Sequence, residues 1–455
     1  MSRDLVIRVT ALYLPIVIAG ALWCVRRLRD TSWGDARHIA GLLLACAWNA
    51  PALLLVHLIA ARLQWWSFQT SEVQLLGFPV ELYVGWIVLW GAVPALAFPR
   101  APFSVVAACM FALDLLLMPL CEPVLTLGAG GSHASPLNAW LTGEIVAIAI
   151  ALVPAQCLAR WTIEGRRLSG RALLQALAFV GLLLGVIPSI LLAQTGADWT
   201  PVFERSARVN NLLAQLLVLA ALPGLSAVQE FVERGRGTPL PYDPPRQLVT
   251  TGPYAYIANP MQSSTVLVLL VWSVVIHNLW FVAASLVALA YGMGLAAWHE
   301  DEQLSERFGS SWTMYRRHVA RWWPRWRPFI GTPGAKEQPA RLYVAQSCPT
   351  CQGVGRWLAE RGVSQLEIVA AEDHPTRHLS RLTYEVSGQP PREGIAAFAR
   401  ALEHIHFAWA LAGMFMRLPV VRQFLQLLVD ASGGGPMLVT RHQAASTKRP
   451  SQKTS

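Results

Sequence analysis

The sequence predicts a mainly α-helical protein that crosses a lipid bilayer about eight or nine times and ends in a smaller α/β domain. Hydrophobic residues make up 54% of the 455 residues and charged residues only 14%, whereas soluble proteins carry about 25% charged residues. Apolar runs of spanning length recur as far as residue 300, and beyond them a strand, a C-x-x-C pair and a helix follow in order. This composition excludes disordered, collagen-like and nucleic-acid-binding chains.

Seven apolar runs have the roughly 17–25 residues that a spanning helix needs. They lie near residues 6–25, 39–60, 80–98, 103–127, 138–159, 172–193 and 211–229. A further apolar block at 261–298 is interrupted by His277 and Asn278, and its first half would rise only about 24 Å as a helix. We therefore predict a helical hairpin at 261–298 that spans the membrane or is partly re-entrant.

The arginines predict the orientation of these spans. Loops 26–38, 99–102, 160–171 and 230–262 carry twelve arginines, whereas the loops between them carry three. The twelve are Arg26, Arg27, Arg29, Arg37, Arg100, Arg160, Arg166, Arg167, Arg171, Arg234, Arg236 and Arg246, and the three are Arg62, Arg205 and Arg208. Because basic loops stay in the cytoplasm, we expect the N-terminus outside and everything after residue 298 inside. Arginine greatly outnumbers lysine and alanine is frequent, a usage typical of GC-rich bacterial genomes, so we expect a bacterial inner membrane.

Two polar segments flank the predicted hairpin. The first runs from Gly252 to Met261, after a stretch at 235–245 that is too rich in proline and glycine for a helix. The second begins at Glu300 and ends at Pro324. A hairpin returns the chain to the side that it left, so the sequence predicts that both segments form one cytoplasmic pocket.

These segments resemble the membrane methyltransferases that include isoprenylcysteine carboxyl methyltransferase and phosphatidylethanolamine methyltransferase. The matching positions are Gly252, Pro253, Tyr254, Asn259, Pro260, Met261, Glu300, Leu304, Phe308, Gly309, Trp312, Tyr315 and Pro324, with Asp301 as the second acid. The sequence departs from the family at Ala258, where the family often has arginine, and at Gln262, where tyrosine is usual. Arg316, Arg317 and Arg321 are candidates to replace that arginine.

The resemblance implies S-adenosylmethionine as the methyl donor and a lipid or prenylated acceptor that enters from the bilayer. It assigns catalysis to Glu300 and Asp301. It assigns donor binding to Gly252, Tyr254, Asn259, Pro260, Glu300 and Tyr315. The acceptor stays open between an isoprenylcysteine-like carboxylate and a phospholipid amine; an amine needs a general base, for which Glu300 is the candidate.

Two alternatives remain for this region. Sterol-type reductases of the same fold bind a nicotinamide cofactor in a comparable pocket, although the sequence has no glycine-rich dinucleotide fingerprint. A non-catalytic membrane scaffold for the C-terminal domain is the other alternative, which Ala258 and Gln262 favour.

The C-terminal region carries a dithiol, Cys348 and Cys351. A strand at 341–345, the C-x-x-C pair, a helix at 353–361 and a strand at 366–371 resemble the opening of the thioredoxin-like D-x-x-C-x-x-C thiol–disulfide oxidoreductase family. A later apolar helix is predicted at 394–416. The sequence departs from this family at 346–347, where Gln-Ser replaces an acidic residue.

The dithiol predicts redox chemistry. A helix N-terminus favours the thiolate of Cys348, and Cys351 is placed to resolve a mixed disulfide with a dithiol redox partner. A zinc site usually needs a second C-x-x-C or a well-spaced histidine pair, so no metal is expected.

These patterns predict five regions. They are an N-terminal multi-span region at 1–210, a methyltransferase core at 211–328 with cofactor loops at 235–262 and 299–324, a linker at 329–340, a thioredoxin-like domain at 341–436 and a disordered tail at 437–455.

Overall fold

A computed structural model describes residues 2–128, 136–238, 240, 242–329, 331 and 339–437. The chain divides into two compact units. Unit 1 takes the described residues up to Leu217 together with Phe231–Gln247 and Thr265–Ala288. Unit 2 takes Val218–Glu230, Leu248–Ser264 and the described residues from Leu289 onward. Most of the linker predicted at 329–340, and all but the first residue of the tail predicted at 437–455, lie outside the described residues.

Seven helices in the described chain are long and apolar enough to cross a membrane. They are α1 (Arg3–Arg29), α2 (Ala36–Leu63), α3 (Val80–Ala97), α4 (Phe103–Cys121), α5 (Leu137–Ile163), α6 (Leu168–Thr195) and α7 (Ala207–Gly235). Each predicted apolar run falls largely within one of them. The prediction of a mainly helical chain with several apolar, membrane-length helices is therefore confirmed.

Two of these helices contain a π-helical turn just before a proline. In α5 the turn covers Ile148–Leu152 and Pro154 follows; in α6 it covers Leu182–Val186 and Pro188 follows. Proline has no backbone N–H and cannot continue the regular helical hydrogen bonds. The wider turn absorbs this loss, so both helices continue past their prolines.

Four short strands lie between the helices of unit 1. Strand β1 (Trp66–Phe68) pairs antiparallel with β4 (Leu125–Leu127), and β2 (Gln74–Leu75) pairs with β3 (Phe78–Pro79). The predicted apolar run at 103–127 is thus too long, because its last residues form β4 rather than helix.

The predicted hairpin at 261–298 consists of two short apolar helices, α8 (Pro260–Ile276) and α9 (Trp280–Met293). They rise roughly 25 and 21 Å at about 1.5 Å per residue. Asn278 stabilises the turn between them, since its side-chain oxygen accepts a 2.9 Å hydrogen bond from the Trp280 backbone N–H. The apolar block does not continue as one helix to residue 298, because a new helix, α10 (Leu295–Phe308), begins after Gly294. Helix α11 (Ser310–His318) follows.

The C-terminal part of unit 2 contains a four-stranded sheet with the order β6-β5-β7-β8. Strand β5 is parallel to β6 and antiparallel to β7, which is antiparallel to β8. The strands are β5 (Ala340–Val344), β6 (Leu366–Ala370), β7 (Thr383–Glu385) and β8 (Arg392–Glu393). The helices are α12 (Pro349–Glu360), α13 (Ile395–Leu402), α14 (Phe407–Arg417) and α15 (Pro419–Val429). The predicted succession of strand, C-x-x-C, helix and strand is present as β5, α12 and β6.

The single helix predicted at 394–416 is wrong, because the chain forms α13 and α14 with a break between them. A continuous helix would join the Phe407 N–H to the Glu403 carbonyl. Instead the Phe407 N–H donates to the Trp326 carbonyl at 2.9 Å, and the Glu403 carbonyl accepts from the Tyr256 hydroxyl at 2.8 Å. Partners distant in the sequence therefore replace the local hydrogen bond and end α13.

Candidate functional site

The two polar segments that flank the hairpin meet through their backbones in unit 2. The Ala258 N–H donates to the Ala320 carbonyl at 2.9 Å, and the Asn259 N–H donates to the Arg321 carbonyl at 3.2 Å. The structure thus brings together the Gly-Pro-Tyr and Asn-Pro-Met motifs with the residues that follow α11.

The Gly-Pro-Tyr motif forms a tight helical turn whose first residue needs glycine. Gly252 has φ +60°, a left-handed conformation that side chains other than glycine adopt at a cost. At the other end of the turn, the Tyr254 carbonyl accepts a 2.8 Å hydrogen bond from the Tyr315 hydroxyl. Tyr315 is only 2% exposed. Its ring packs among buried apolar side chains, so in this structure Tyr315 supports the backbone of the predicted donor loop.

Tyr254 itself is buried in this turn. Burial raises the pKa of its hydroxyl well above the ordinary value, and the neighbouring Tyr315, Glu300 and Glu230 raise it further. The phenol therefore remains protonated at neutral pH and is a hydrogen-bond donor.

A side-chain relay links the first motif to α10. Asn259 donates to the Gln262 side-chain oxygen at 3.1 Å, and the Gln262 amide nitrogen donates to the Glu300 carboxylate at 3.2 Å. Pro260 is the first residue of α8, where its missing N–H costs no helical hydrogen bond. Sequence reasoning treated Gln262 only as a departure from the family, yet it joins two predicted site residues.

Asp301 has a different partner from the neighbouring Glu300. Its carboxylate forms an ion pair with Arg321, and it borders an open cleft of about 670 Å³ between α10 and α11. The cleft is lined by Trp298, Asp301, Glu302, Trp312, Arg316 and Arg317, among others. Burial and the neighbouring Arg321 lower the pKa of Arg316.

The cleft combines three kinds of group that suit a zwitterionic, aromatic ligand. Carboxylates bind ammonium groups, guanidinium groups bind carboxylates, and indole faces attract cations. Its volume lies within the roughly 300–1,000 Å³ of typical small-molecule sites. The two predicted catalytic carboxylates thus have different surroundings: Asp301 lines the cleft, whereas Glu300 contacts Gln262.

The proline- and glycine-rich stretch before the motif packs against the helices of unit 1. Asp243 forms a 2.8 Å ion pair with Arg171, and Tyr242 accepts a 2.6 Å hydrogen bond from Gln175. Both partners belong to α6 and are buried. This part of the predicted cofactor loop at 235–262 is thus anchored by polar contacts within unit 1.

The C-terminal dithiol lies at the start of α12. Cys348 caps the helix, and its sulfur accepts a 3.3 Å hydrogen bond from the Cys351 N–H. A side-chain hydrogen bond from Cys351 and backbone donors lower the pKa of the Cys348 thiol. Burial and the neighbouring Cys348 raise the pKa of Cys351 to about 12. Cys348 is therefore the more acidic thiol of the pair, and the thiolate is the reactive form of cysteine.

A carboxylate that sequence reasoning missed supports the dithiol loop. Although burial opposes it, hydrogen bonds from backbone N–H groups lower the pKa of Glu372. The Gln346 N–H donates to it at 2.9 Å and the Ser347 N–H at 3.0 Å. These are the two residues immediately before Cys348. Glu372 thus supplies a negative charge from a distant part of the chain.

Sequence reasoning also missed Glu230, which is completely buried near the end of α7. Its carboxylate contacts Arg400 at 2.6 Å and Arg417 at 2.7 Å. Its position in an otherwise apolar stretch was the available signal, because ionisable groups in such segments by default indicate a function.

Comparisons with known proteins give one match. Neither a search of curated proteins nor a search of solved structures found a significant relative. Residues 215–311 match the model of the phospholipid methyltransferase family. This range includes the Gly252–Met261 motif and Glu300–Asp301, and it supports a membrane methyltransferase of the isoprenylcysteine or phospholipid kind. The part of the candidate site up to residue 311 is thus similar to the phospholipid methyltransferases, whereas Trp312, Tyr315 and Arg316 lie beyond the matched range.

Proposed function

We propose that this protein transfers a methyl group from S-adenosylmethionine to a lipophilic acceptor at the cytoplasmic face of the membrane. The observation that carries the proposal is the meeting of the two motif segments at 258–259 and 320–321, within and just beyond the range that matches the methyltransferase family. The twelve-to-three distribution of arginines supports an external N-terminus and a cytoplasmic C-terminal domain.

The donor supplies an activated methyl group on a cationic sulfonium, and the residues of this chain bind and orient it. In our proposal the cleft of Asp301, Trp312 and Arg316 holds the donor's polar and aromatic groups. The relay from Asn259 through Gln262 fixes Glu300 beside the donor loop. An in-line transfer depends mainly on such positioning and on the exclusion of water.

The acceptor class decides whether Glu300 must move a proton. A carboxylate acceptor is already nucleophilic and needs no base. A phospholipid amine must lose a proton, and Glu300, held by Gln262, is our candidate general base. Transfer of labelled methyl groups to defined lipids distinguishes the two classes.

Donor binding to the purified, detergent-solubilised full chain tests the proposal. We expect saturable binding of S-adenosylmethionine, weakened at least about tenfold in Glu300→Gln and Asp301→Asn, which is about 1.4 kcal/mol. Glu306→Gln is the matched control, because Glu306 is an exposed residue of the same helix. Absence of binding at millimolar donor overturns the proposal, and nicotinamide cofactors then test the reductase alternative.

We also propose that Cys348 and Cys351 form a thioredoxin-like thiol–disulfide site. The parallel pairing of β5 with β6, the helix that Cys348 caps and the lowered pKa of Cys348 support this. The Cys348 thiolate attacks a partner disulfide and releases one partner thiol. Cys351, as its proton leaves, then displaces the second thiol, so that the partner is reduced and Cys348–Cys351 is oxidised. Stoichiometric reduction of a model disulfide by the pre-reduced wild type, but not by pre-reduced Cys348→Ser, tests this activity.

A further inference from the structure

Four charged side chains form a buried ion cluster in unit 2. Glu230 comes from α7, Arg400 from α13, Glu403 from the turn after it and Arg417 from α14. Arg400 contacts Glu230 at 2.6 Å and Glu403 at 3.0 Å, and Arg417 contacts each carboxylate at 2.7 Å. The exposed fraction of these side chains is 7% or less. Two carboxylates and two guanidinium groups balance, so the cluster is neutral as a whole.

Glu230 also holds the beginning of the predicted donor loop. The Thr251 hydroxyl donates to its carboxylate at 2.7 Å. Gly252 follows, and its α-carbon lies so close that an added Cβ would be 2.7 Å from the Glu230 side chain. The Glu230 carboxylate, which forms ion pairs with both arginines, therefore also supports the turn of the Gly-Pro-Tyr motif.

The end of the same loop contacts the same C-terminal helices. The Tyr256 hydroxyl donates to the Glu403 carbonyl at 2.8 Å, and its ring packs against Phe407 at a centroid distance of 5.4 Å. Behind it, the Arg325 N–H donates to the Tyr256 carbonyl at 3.0 Å. The loop is thus fixed at residue 251 through the ion cluster and at residue 256 through the turn between α13 and α14.

We propose that Arg400 and Arg417 are positioning residues for the methyltransferase, so that the C-terminal domain sets the geometry of the donor loop at 251–256. This inference rests on the function proposed for that loop. Removing one arginine leaves a buried carboxylate without its balancing charge. The carboxylate then draws in water or shifts, and Thr251 and Gly252 shift with it. A displacement of about 1 Å at a distance from the chemistry can cost about 100-fold in rate.

Full-chain variants in detergent test the inference. We expect Arg417→Met to weaken S-adenosylmethionine binding at least about tenfold, which is about 1.4 kcal/mol, and to accelerate hydrogen exchange of the backbone at 248–258. Arg341→Met is the matched control, because Arg341 forms a half-exposed ion pair with Glu367 in the same domain. In both variants Cys348 should be alkylated at the wild-type rate. An unchanged rate indicates that the C-terminal domain remains folded.

A second variant restores the charge balance. In Glu403→Gln/Arg417→Met one carboxylate and one guanidinium remain, and we expect donor binding to recover part of its loss. If Arg417→Met fails to fold, this double variant and Thr251→Val provide the same comparison. Unchanged donor binding and unchanged exchange at 248–258 in these variants overturn the inference. If the wild type binds no donor but exchange at 248–258 still rises in Arg417→Met, the methyltransferase function fails while the positioning of the loop stands.

Discussion

Replacement of Gly252 by alanine tests the geometry of the donor loop most directly. The added Cβ would lie 2.7 Å from Cγ, 2.8 Å from Cδ and 2.9 Å from Oε1 of Glu230. Optimal carbon contacts are roughly 3.5–4.0 Å, so the two carbon contacts are short by roughly 0.7–1.3 Å. Glu230 cannot move away freely, because Arg400, Arg417 and Thr251 all bind its carboxylate.

Two costs add in this variant. The left-handed backbone at φ +60° costs an alanine about 1–2 kcal/mol, and overpacking of a filled site costs about 1–3 kcal/mol. The free energy of unfolding should therefore fall by roughly 2–5 kcal/mol. For a unit of about 200 residues this lowers the melting temperature by roughly 4–20 °C.

Two other glycines provide the controls. Gly362 has φ +63° and its added Cβ would meet nothing within 4 Å, so Gly362→Ala measures backbone strain alone. Gly353 lies in α12 without a positive φ and also has open space around it, so Gly353→Ala should be neutral or stabilise by about 0.5–1 kcal/mol. Thermal unfolding in detergent, together with hydrogen exchange at 248–258, ranks the stabilities of the three variants. If Gly252→Ala melts no lower than Gly362→Ala and its loop exchanges normally, the contact with Glu230 is refuted.

Three further predictions follow from the same structure. Tyr315→Phe leaves the buried Tyr254 carbonyl without its donor and should lower the free energy of unfolding by about 1–3 kcal/mol, measured by thermal unfolding; an unchanged melting temperature contradicts it. Iodoacetamide should modify Cys348 before Cys351 near neutral pH, because a lowered pKa keeps more Cys348 as thiolate while the pKa of Cys351 is raised to about 12; mass spectrometry of the peptides decides the order. Glu372→Gln should lower the melting temperature most above pH ~5. The difference from wild type should shrink as the pH falls through the lowered pKa of Glu372, because protonation then removes the same charge from the wild type.

Hydropathy was sufficient to find the seven membrane-length helices of the described chain. Every apolar run of spanning length became a helix, because a backbone in hydrocarbon must satisfy its own hydrogen bonds. The predicted element boundaries were wrong where hydrogen-bond partners distant in the sequence replaced local ones. Residues 125–127 pair with β1 rather than extend α4, and the helix predicted at 394–416 is divided because Tyr256 and Trp326 bind the backbone groups at its break.

The candidate site was only partly accessible from sequence. The spacing of its motifs around a hairpin predicted that Asn259 and Glu300 lie close together, and the structure joins them through Gln262. The pattern gave no reason to assign Gln262 this role, since an amide relay depends on side-chain direction and not on spacing along the chain. The same limit applies to Glu372, which reaches the dithiol loop from 25 residues away.

The sequence by itself determined that the described chain is mainly helical with several apolar helices of membrane length, and its short motifs predicted methyl transfer and dithiol chemistry. Only the tertiary structure decided how these parts are connected. Glu230 lies far from Arg400 and Arg417 in the sequence, and no sequence pattern pairs it with them. They come together because a buried charge is stable only beside an opposite charge, and the fold alone determines which charges become neighbours.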